Sequence, residues 1–326
     1  MKKILSFIIV FFTLGKLFSM NIDVSIYPSV KISEGKLGEY LYTSTNDRII
    51  SYLQWEENPV FQYGLGINSS INNFNIQAEG FFSLPGKCGK MFDSDWKIPG
   101  VKTNYGIFQN NSVKNWFTSA QVSYSFNINN NFAIIPLFMF SYRYDSFSTN
   151  KGTGSYGDSK YSSTGKDESW DSEYAKKCNL SGIDYLRKSL FYNFGIGGKY
   201  TGKRINLMMD LMISPYGSFF TKDYHRDDFA TDEFESQAYT TITLHTSYFK
   251  VFSLKLAMDY SITNNLALFL CTEGIIYPKI SGQTATNAYN GLGFGSFEDN
   301  DWTLLKQKSA IDLQEVSVKA GCIYKF

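Results

Sequence analysis

Two short acidic segments are the places where this sequence could carry chemistry. Asp223 and His225 lie two residues apart in the run Thr221–His225, so an extended chain places both side chains on one face. A carboxylate beside an imidazole orients the ring, raises its basicity and lets it take a proton from water. The pair is therefore a candidate general base, although the spacing by itself is weak as a motif.

A second acidic pair, Asp93 and Asp95, has the same spacing within Met91–Trp96. Two close carboxylates repel each other, so one tends to hold a proton or a hydrogen-bonded water. A bound cation is one alternative, but Ca²⁺ requires about six to eight oxygen ligands and no such cluster follows. A solvated acidic loop is the other alternative. We expect neither a metal nor another cofactor at this segment.

The second histidine and the four cysteines are weaker candidates for a chemical role than the two acidic segments. His245 lies in Thr241–Tyr248, a strand-like run without an acidic neighbour, and we interpret it as a structural or surface histidine. The four cysteines have no metal-like spacing. Cys88 and Cys178 fall in predicted outer loops and could bridge in an oxidising compartment.

Composition and the N-terminus bound the class of protein. The net charge of +1, from 31 basic and 30 acidic residues, argues against nucleic acid as a partner. Residues 1–19 read as a signal peptide, with a basic start, the apolar run Ile4–Leu14 and Ser19 before the cleavage site. A membrane anchor is the alternative, but a bilayer span needs ~20 apolar residues. We expect residues 20–326 to form the exported protein.

The elements that must position these residues are strands, because alternation dominates the sequence. In Lys114–Ile128 the even positions are mostly apolar and the odd positions almost wholly polar, and Phe132–Phe147 and the end of the chain repeat this pattern. A soluble sandwich could also end in such a strand. The pattern predicts ten strands, at Ile22–Tyr42, Arg48–Ser69, Phe74–Met91, Lys114–Ile128, Phe132–Phe147, Ile183–Tyr200, Arg204–Asp223, Gln237–Ile262, Leu266–Ile280 and Ala310–Phe326.

The connections between these strands are unequal. Short Asn- or Gly-rich turns alternate with four long polar stretches, at Pro85–Asn111, Ser148–Gly182, Arg226–Glu235 and Ser281–Lys308. Short turns at one end and long loops at the other are typical of bacterial outer-membrane barrels, as is an even strand number. We therefore predict an all-β fold, a ten-stranded antiparallel transmembrane β-barrel with long extracellular loops.

One strand conflicts with a simple barrel pattern. In Arg204–Asp223 the lower apolar residues have odd numbers, so unbroken alternation would turn Asp223 and His225 outward as well. A bulge or bend near Pro215–Gly217 would restore their inward direction. Alternatively, the strand stands above the lipid there, and an odd or even residue number no longer indicates whether a side chain is apolar.

The two acidic motifs together resemble the signature segments of omptins, the outer-membrane proteases that include the plasminogen-activator type. The matching runs are FDSDW at Phe92–Trp96 and DYH at Asp223–His225, and RIISYLQW at Arg48–Trp55 resembles the start of the family's second strand. The resemblance implies a ten-stranded barrel with its active site in a groove at the extracellular rim. It also implies that Asp223 and His225 activate a water, and that Asp93 and Asp95 hold this water from across the groove.

The resemblance also bears on specificity and on lipid. Omptins favour a basic residue before the scissile bond through an acidic pair, and Glu39 falls at one of its positions, whereas Thr221 departs from the other. The alternative role for Glu39 is a residue of the lumen or rim. Family members need lipopolysaccharide, and Arg187 lies near one contact position on the outer face. Tyr142 and Tyr144 stand where charged residues are expected.

These observations predict an aspartic-type endopeptidase of the bacterial outer membrane, with its active site facing the exterior. Its expected partners are polypeptide substrates and outer-membrane lipid. The rival hypothesis is a non-enzymatic barrel acting as a porin, an adhesin or a lipid-binding surface protein, and an inactive omptin-like barrel is a third. The directions of Asp93, Asp95, Asp223 and His225 distinguish them, since the enzyme requires all four side chains to meet at one gap.

Overall fold

The computed structural model describes residues 22–43, 47–226, 230–231, 234–235, 239–288 and 303–326. The predicted signal peptide lies outside these residues and stays a prediction. Among the described residues, no helix is long and apolar enough to cross a bilayer. The strands are β1 (Ile22–Tyr42), β2 (Ile49–Ile71), β3 (Phe74–Ser83), β4 (Gly86–Asp95), β5 (Asn104–Tyr124), β6 (Phe126–Asn127), β7 (Phe132–Thr149), β8 (Gly152–Tyr156), β9 (Lys176–Leu180), β10 (Ile183–Thr201), β11 (Ile205–His225), β12 (Ala230–Thr231), β13 (Phe234–Glu235), β14 (Tyr239–Ser247), β15 (Val251–Ser261), β16 (Leu266–Ala288) and β17 (Thr303–Lys325).

The strands occupy ten positions around one closed antiparallel ring, and each position is called a wall below. This ring confirms the predicted barrel. β3 and β4 together form one wall, and β14 and β15 form another. β17 pairs with β1, and β5 pairs with β7, so that the lower ring has no open edge. Closure satisfies the backbone hydrogen bonds of each wall, which is the condition for strands to stand in lipid.

The predicted long loops are partly strand, and here the sequence-based boundaries were wrong. β4 and β5 form a hairpin inside the predicted loop Pro85–Asn111, and β8 and β9 form one inside Ser148–Gly182. β16 and β17 likewise extend into Ser281–Lys308. Above the lipid both faces of a strand meet water, so strands there lose the apolar alternation from which they were predicted.

The outward side chains of the lower barrel are apolar on all ten walls, and this shared surface is called the apolar band below. Ten representatives, one from each wall, each have more than a third of their surface exposed: Val30, Phe61, Phe82, Val122, Ile134, Phe194, Leu207, Leu256, Leu270 and Val318. Their inward neighbours are largely Ser, Gln, Asn and charged residues. This division into an apolar exterior and a polar lumen is the one that alternation predicts.

The part of the lumen towards the long loops is packed with side chains. Apolar residues from both sides of the ring pack into one buried cluster, the apolar layer, which includes Leu37, Trp55, Phe147, Tyr185, Phe191, Phe219, Tyr277 and Leu313. A set of buried charges, the ionic layer, lies against it on the side of the short turns and comprises Lys31, Glu57, Arg143, Asp145, Arg187 and Glu315. The four cysteines are unbridged, so the considered Cys88–Cys178 disulfide is absent.

Candidate active site

Asp93 and Asp95 reach the lumen from the loop end of β4. Asp93 pairs with Leu53 of β2 and Gly106 of β5, and Asp95 pairs with Ser51 and Asn104. Both aspartates line a cavity of about 60 Å³ at this end of the barrel. The Asn104 side-chain amide lies 3.4 Å from the Asp95 carboxylate, which helps to hold it.

A β-bulge in β11 turns the second motif towards the same cavity. Tyr192 and Phe194 of β10 pair with Tyr216 and Ile213, so β11 contains one extra residue at Ser214–Pro215. Below this point Asp210 and Met212 are buried towards the lumen, whereas above it Phe219, Thr221 and Asp223 are buried. The register shift predicted near Pro215–Gly217 is therefore present. Proline suits this position because a bulge leaves one backbone amide outside the ladder.

The imidazole of His225 is within hydrogen-bond distance of a carboxylate. Its Nε2 atom lies 3.0 Å from Oδ2 of Asp223, and both side chains are about nine-tenths enclosed. His225 and Asp223 line the same cavity as Asp93 and Asp95. The four residues named from the sequence thus approach one gap from opposite walls. An imidazole held by a carboxylate is equipped to accept a proton from water.

Glu39 forms part of the floor of this cavity, at the loop end of β1. The hydroxyl of Tyr185 donates a hydrogen bond to Oε1 of Glu39 over 3.0 Å. Outward residues at this height are polar, with Asp312 accepting a hydrogen bond from the Tyr40 hydroxyl, so Glu39 stands above the apolar band. Removal from water raises the pKa of Glu39 to about 8, and the negative charge of Asp223 adds to the rise.

Thr221 lies fully buried beneath the dyad, next to the hydroxyl of Thr243 on β14. Its side chain also hydrogen-bonds to Glu39. The position where the resemblance implies a second acid therefore contributes a neutral hydroxyl to the floor of the cavity. One carboxylate and several hydroxyl groups replace a pair of carboxylates.

His245 is a residue of this cavity that the sequence interpretation missed. It lines the same space, and its Nε2 atom is 3.2 Å from the hydroxyl of Ser309 on β17. Burial lowers the pKa of His245 to about 4, so the ring is neutral at physiological pH. His245 has an odd residue number, like the inward Thr241 and Thr243. This shared parity was the feature of the sequence that could have predicted an inward side chain. The contact with Ser309 spans 64 residues, which local spacing cannot reveal.

The comparison with known proteins decides the family. Residues 20–326 match the Omptin family. This chain belongs to the omptin family. Its fold is similar to that of the outer membrane protease OmpT from Escherichia coli, with a TM-score of 0.76 and 18% identity over 93% of this chain and 97% of that chain. At this identity the likeness shows the fold alone.

Other likenesses are weaker. The translocator domain of the autotransporter NalP from Neisseria meningitidis matches with a TM-score of 0.32 and 10% identity, covering 93% of this chain and 91% of its own. Neisserial surface protein A matches with a TM-score of 0.25 and 9% identity, covering 91% and 98%. Neither value bears on fold or function. No curated protein is significantly similar in sequence.

Membership of the omptin family places the chain in the bacterial outer membrane and supports an outer-membrane protease. The apolar band is then the lipid-facing surface, and the cavity lies at the loop end above it. Among the described residues, no group of three or more His, Cys, Asp or Glu side chains is arranged to hold a metal ion.

The expectation for Arg187 was wrong. Arg187 was expected near a lipopolysaccharide contact on the outer face of this omptin, but its side chain is fully buried in the lumen, where it pairs with Asp145 and Glu57. Its neighbour Lys188 is the outward residue of this segment, with its ammonium 5.6 Å from the ring of Phe220. The error is one of parity, because a shift of one residue moves a strand side chain to the other face.

Proposed function

We propose that this omptin is an endopeptidase that cleaves exported or host polypeptides with a water molecule activated by Asp223 and His225. The observation that carries the proposal is the meeting of this dyad with Asp93 and Asp95 in one cavity of about 60 Å³. A cavity of this size holds a few water molecules, which is enough for a nucleophilic water between the two pairs.

In the proposed reaction His225 acts as the general base. It takes a proton from the water as the water oxygen attacks the peptide carbonyl carbon, and the carbonyl oxygen becomes negatively charged. Asp223 orients the ring and stabilises the imidazolium, as its 3.0 Å contact with Nε2 suits it to do. The C–N bond then breaks, and the imidazolium returns the proton to the leaving amine. Because water is the nucleophile, no acyl-enzyme forms.

We assign Asp93 and Asp95 a role in the same reaction from the other side of the cavity. Their carboxyl groups would hold the water and, later, the tetrahedral intermediate by hydrogen bonds. The position of both residues at the end of β4, facing β11 across the cavity, supports this assignment. Because the two residue pairs are fixed on the ends of two strands, the cavity between them stays open. The four side chains are therefore already placed to bind the reacting atoms, which favours catalysis.

We propose that the preferred site of cleavage lies next to a basic residue. The cavity contains the carboxyl groups of Glu39, Asp93, Asp95 and Asp223. Such a concentration of acidic groups in a partly enclosed cleft attracts a cationic side chain. The neutral Thr221 weakens this attraction relative to a floor with two carboxylates.

We further propose that lipopolysaccharide is required for full activity. The support is a cationic and aromatic patch on the outer face, where Lys188 of β10 is paired in register with Tyr144 of β7. Tyr144 stacks on Trp116 at a centroid distance of 5.9 Å. An ammonium group next to aromatic rings suits a phosphorylated glycolipid at the membrane surface.

The rival function of a porin is disfavoured by the contents of the barrel. The apolar layer extends across the lumen, with Trp55 and Tyr185 stacked at 4.7 Å. The ionic layer adjoins it, with Arg143 and Arg187 pairing with Glu57, Asp145 and Glu315. A lumen packed in this way is unlike the open aqueous channel of a porin.

The test is peptide cleavage by the purified, refolded barrel. His225→Ala should reduce the cleavage rate of a quenched peptide library by at least ~100-fold, since loss of a positioned general base costs on the order of 10² to 10⁴ in rate. Asp223→Asn should also reduce the rate. Each variant is measured with and without lipopolysaccharide, and the lipid should increase only the rate of the active forms.

Asp184→Asn is the matched control for Asp223→Asn. Asp184 lies on the neighbouring strand, paired with Tyr224, and does not line the cavity. The control should cleave at the parental rate, and all variants should keep the heat-modifiable gel migration of a folded barrel. Parental cleavage by His225→Ala would refute the assigned base, and failure of the parental barrel to cut any peptide would favour a non-enzymatic or inactive barrel.

A further inference from the structure

His245 occupies an unusual position for a buried histidine. It lies on β14, paired with Phe219 on one side and with Gly282 of β16 on the other. A Cβ atom at Gly282 would overlap the His245 ring, so only glycine at this position lets the ring lie across β16. The ring thereby reaches Ser309 on β17, one strand further. The packing of β14, β16 and β17 therefore accommodates this one side chain.

The hydrogen bonds of His245 are incomplete. Its Nε2 atom is 3.2 Å from the Ser309 hydroxyl, whereas its Nδ1 atom has no hydrogen-bond partner within the part of the chain that the structure describes. The residue is 1% exposed and lines the cavity of the proposed active site. A buried polar atom without a partner is costly, by about 1–3 kcal/mol, which favours a ligand that supplies one. His245 therefore has the properties of a group that binds substrate.

The remaining groups of the floor leave few sites for a substrate cation. One oxygen of Glu39 already accepts the hydrogen bond from Tyr185, and Thr221 and Thr243 hydrogen-bond to each other. A guanidinium presents a planar fork that matches two free carboxylate oxygens. An ammonium is compact, with three rotatable donors on a slender chain, and it can use one carboxylate oxygen and neutral acceptors. A cavity of about 60 Å³ also suits the smaller head.

We propose that His245, supported by Ser309, is a specificity-determining residue that makes this peptidase select lysine over arginine before the scissile bond. In this arrangement Nε2–H donates to Ser309, and Nδ1 accepts a hydrogen bond from the lysine ammonium, whose charge is balanced by Glu39. The inference rests on the proposed peptidase function, and it adds a substrate class and a binding residue to it.

The experiment compares peptides that differ only in the residue before the cut, with Lys, Arg or Gln at that position. The parental barrel should have a severalfold higher kcat/KM for the Lys peptide than for the Arg peptide. His245→Leu removes the acceptor at similar volume, so the Lys-to-Arg ratio should fall by about tenfold, the value of one hydrogen bond to a charged group. Ser309→Ala should lower the ratio in the same direction. Thr221→Asp should instead raise kcat/KM for the Arg peptide, because it restores a second carboxylate.

Ser247→Ala is the matched control, since Ser247 is buried on the same strand, two residues beyond His245, and does not line the cavity. It should leave the ratio unchanged. Heat-modifiable gel migration identifies any variant that fails to fold. An Arg preference in the parental barrel, or the parental ratio in folded His245→Leu and Ser309→Ala, would overturn this inference while leaving the peptidase intact. A parental barrel that cuts none of the peptides would overturn the peptidase proposal and the inference together.

Discussion

At the scale of single residues, the protonation of Glu39 links the floor of the cavity to its expected ligand. The pKa of this carboxyl is raised to about 8 by its removal from water and by the nearby charge of Asp223. Below this pH the group holds a proton and hydrogen-bonds as a neutral acid. A cationic substrate side chain favours the ionised form, so its binding must release that proton in the neutral range.

The affinity for a lysine peptide should therefore rise with pH. Between about pH 6 and pH 8 the Kd of a fluorescent Lys peptide should fall, by at most roughly tenfold per pH unit, and then level off above the pKa. The measurement uses the His225→Ala barrel, in which cleavage does not interfere. A Gln peptide should show no such trend, and Glu39→Gln should abolish it. An equally steep trend with the Gln peptide would assign the titration to another group.

At the scale of strands, bulges mark the change from the lipid-facing barrel to the part that bears the site. Register shifts occur in β2 next to Pro59, in β11 at Pro215 and in β16 at Pro278. In β2 the lumen-facing residues change from even numbers, such as Gln62, to odd numbers, such as Trp55. Each bulge adds one residue to its strand, and this reverses the faces above it.

Deleting Pro215 tests whether the bulge in β11 is required for the site. The deletion should restore regular alternation, turn Asp223 and His225 away from the cavity and lower peptide cleavage to the level of His225→Ala. Pro215→Ala is the matched control, because it keeps the residue count and should keep most of the activity. Both variants are first checked for the gel migration of a folded barrel. Full cleavage by the deletion variant would show that the face of β11 is set by another feature.

The sequence predicts those strands that have one side in lipid and the other in the lumen. The run Phe132–Phe147 falls within β7 because its outward residues are apolar over the whole width of the band. Above the band polarity no longer follows the face, so the paired part of β4 and β5 fell largely within the predicted loop Pro85–Asn111. Arg187 and His245 were misjudged for a different reason. Their partners, Asp145 on β7 and Ser309 on β17, are far away in the sequence, and only the pairing of the strands brings them together.

At the scale of the whole molecule, the site rests on the packed interior of the barrel. Trp55 stacks on Tyr185 in the apolar layer, and Tyr185 donates the hydrogen bond to Glu39 at the cavity floor. Two residues further towards the short turns, Arg187 hydrogen-bonds to Asp145 at 2.6 Å and pairs with Glu57 at 2.9 Å. Contacts between opposite walls therefore extend from the ionic layer to the cavity.

Removing the arginine from this layer should destabilise the entire barrel. Arg187→Met leaves Glu57 and Asp145 buried with one cation fewer, and breaking a buried ion pair in this way costs about 3–5 kcal/mol. The free energy of unfolding, measured by urea titration of the barrel in lipid vesicles, should fall by this order. Adding Asp145→Asn alone to Arg187→Met should recover part of the loss, because the remaining buried charges of Lys31, Arg143, Glu57 and Glu315 then balance. Lys308→Met, which removes an exposed pair with Asp47, is the control and should cost ~1 kcal/mol or less. If Arg187→Met were as stable as this control, the ion pairs of Arg187 would make no net contribution to the stability of the barrel.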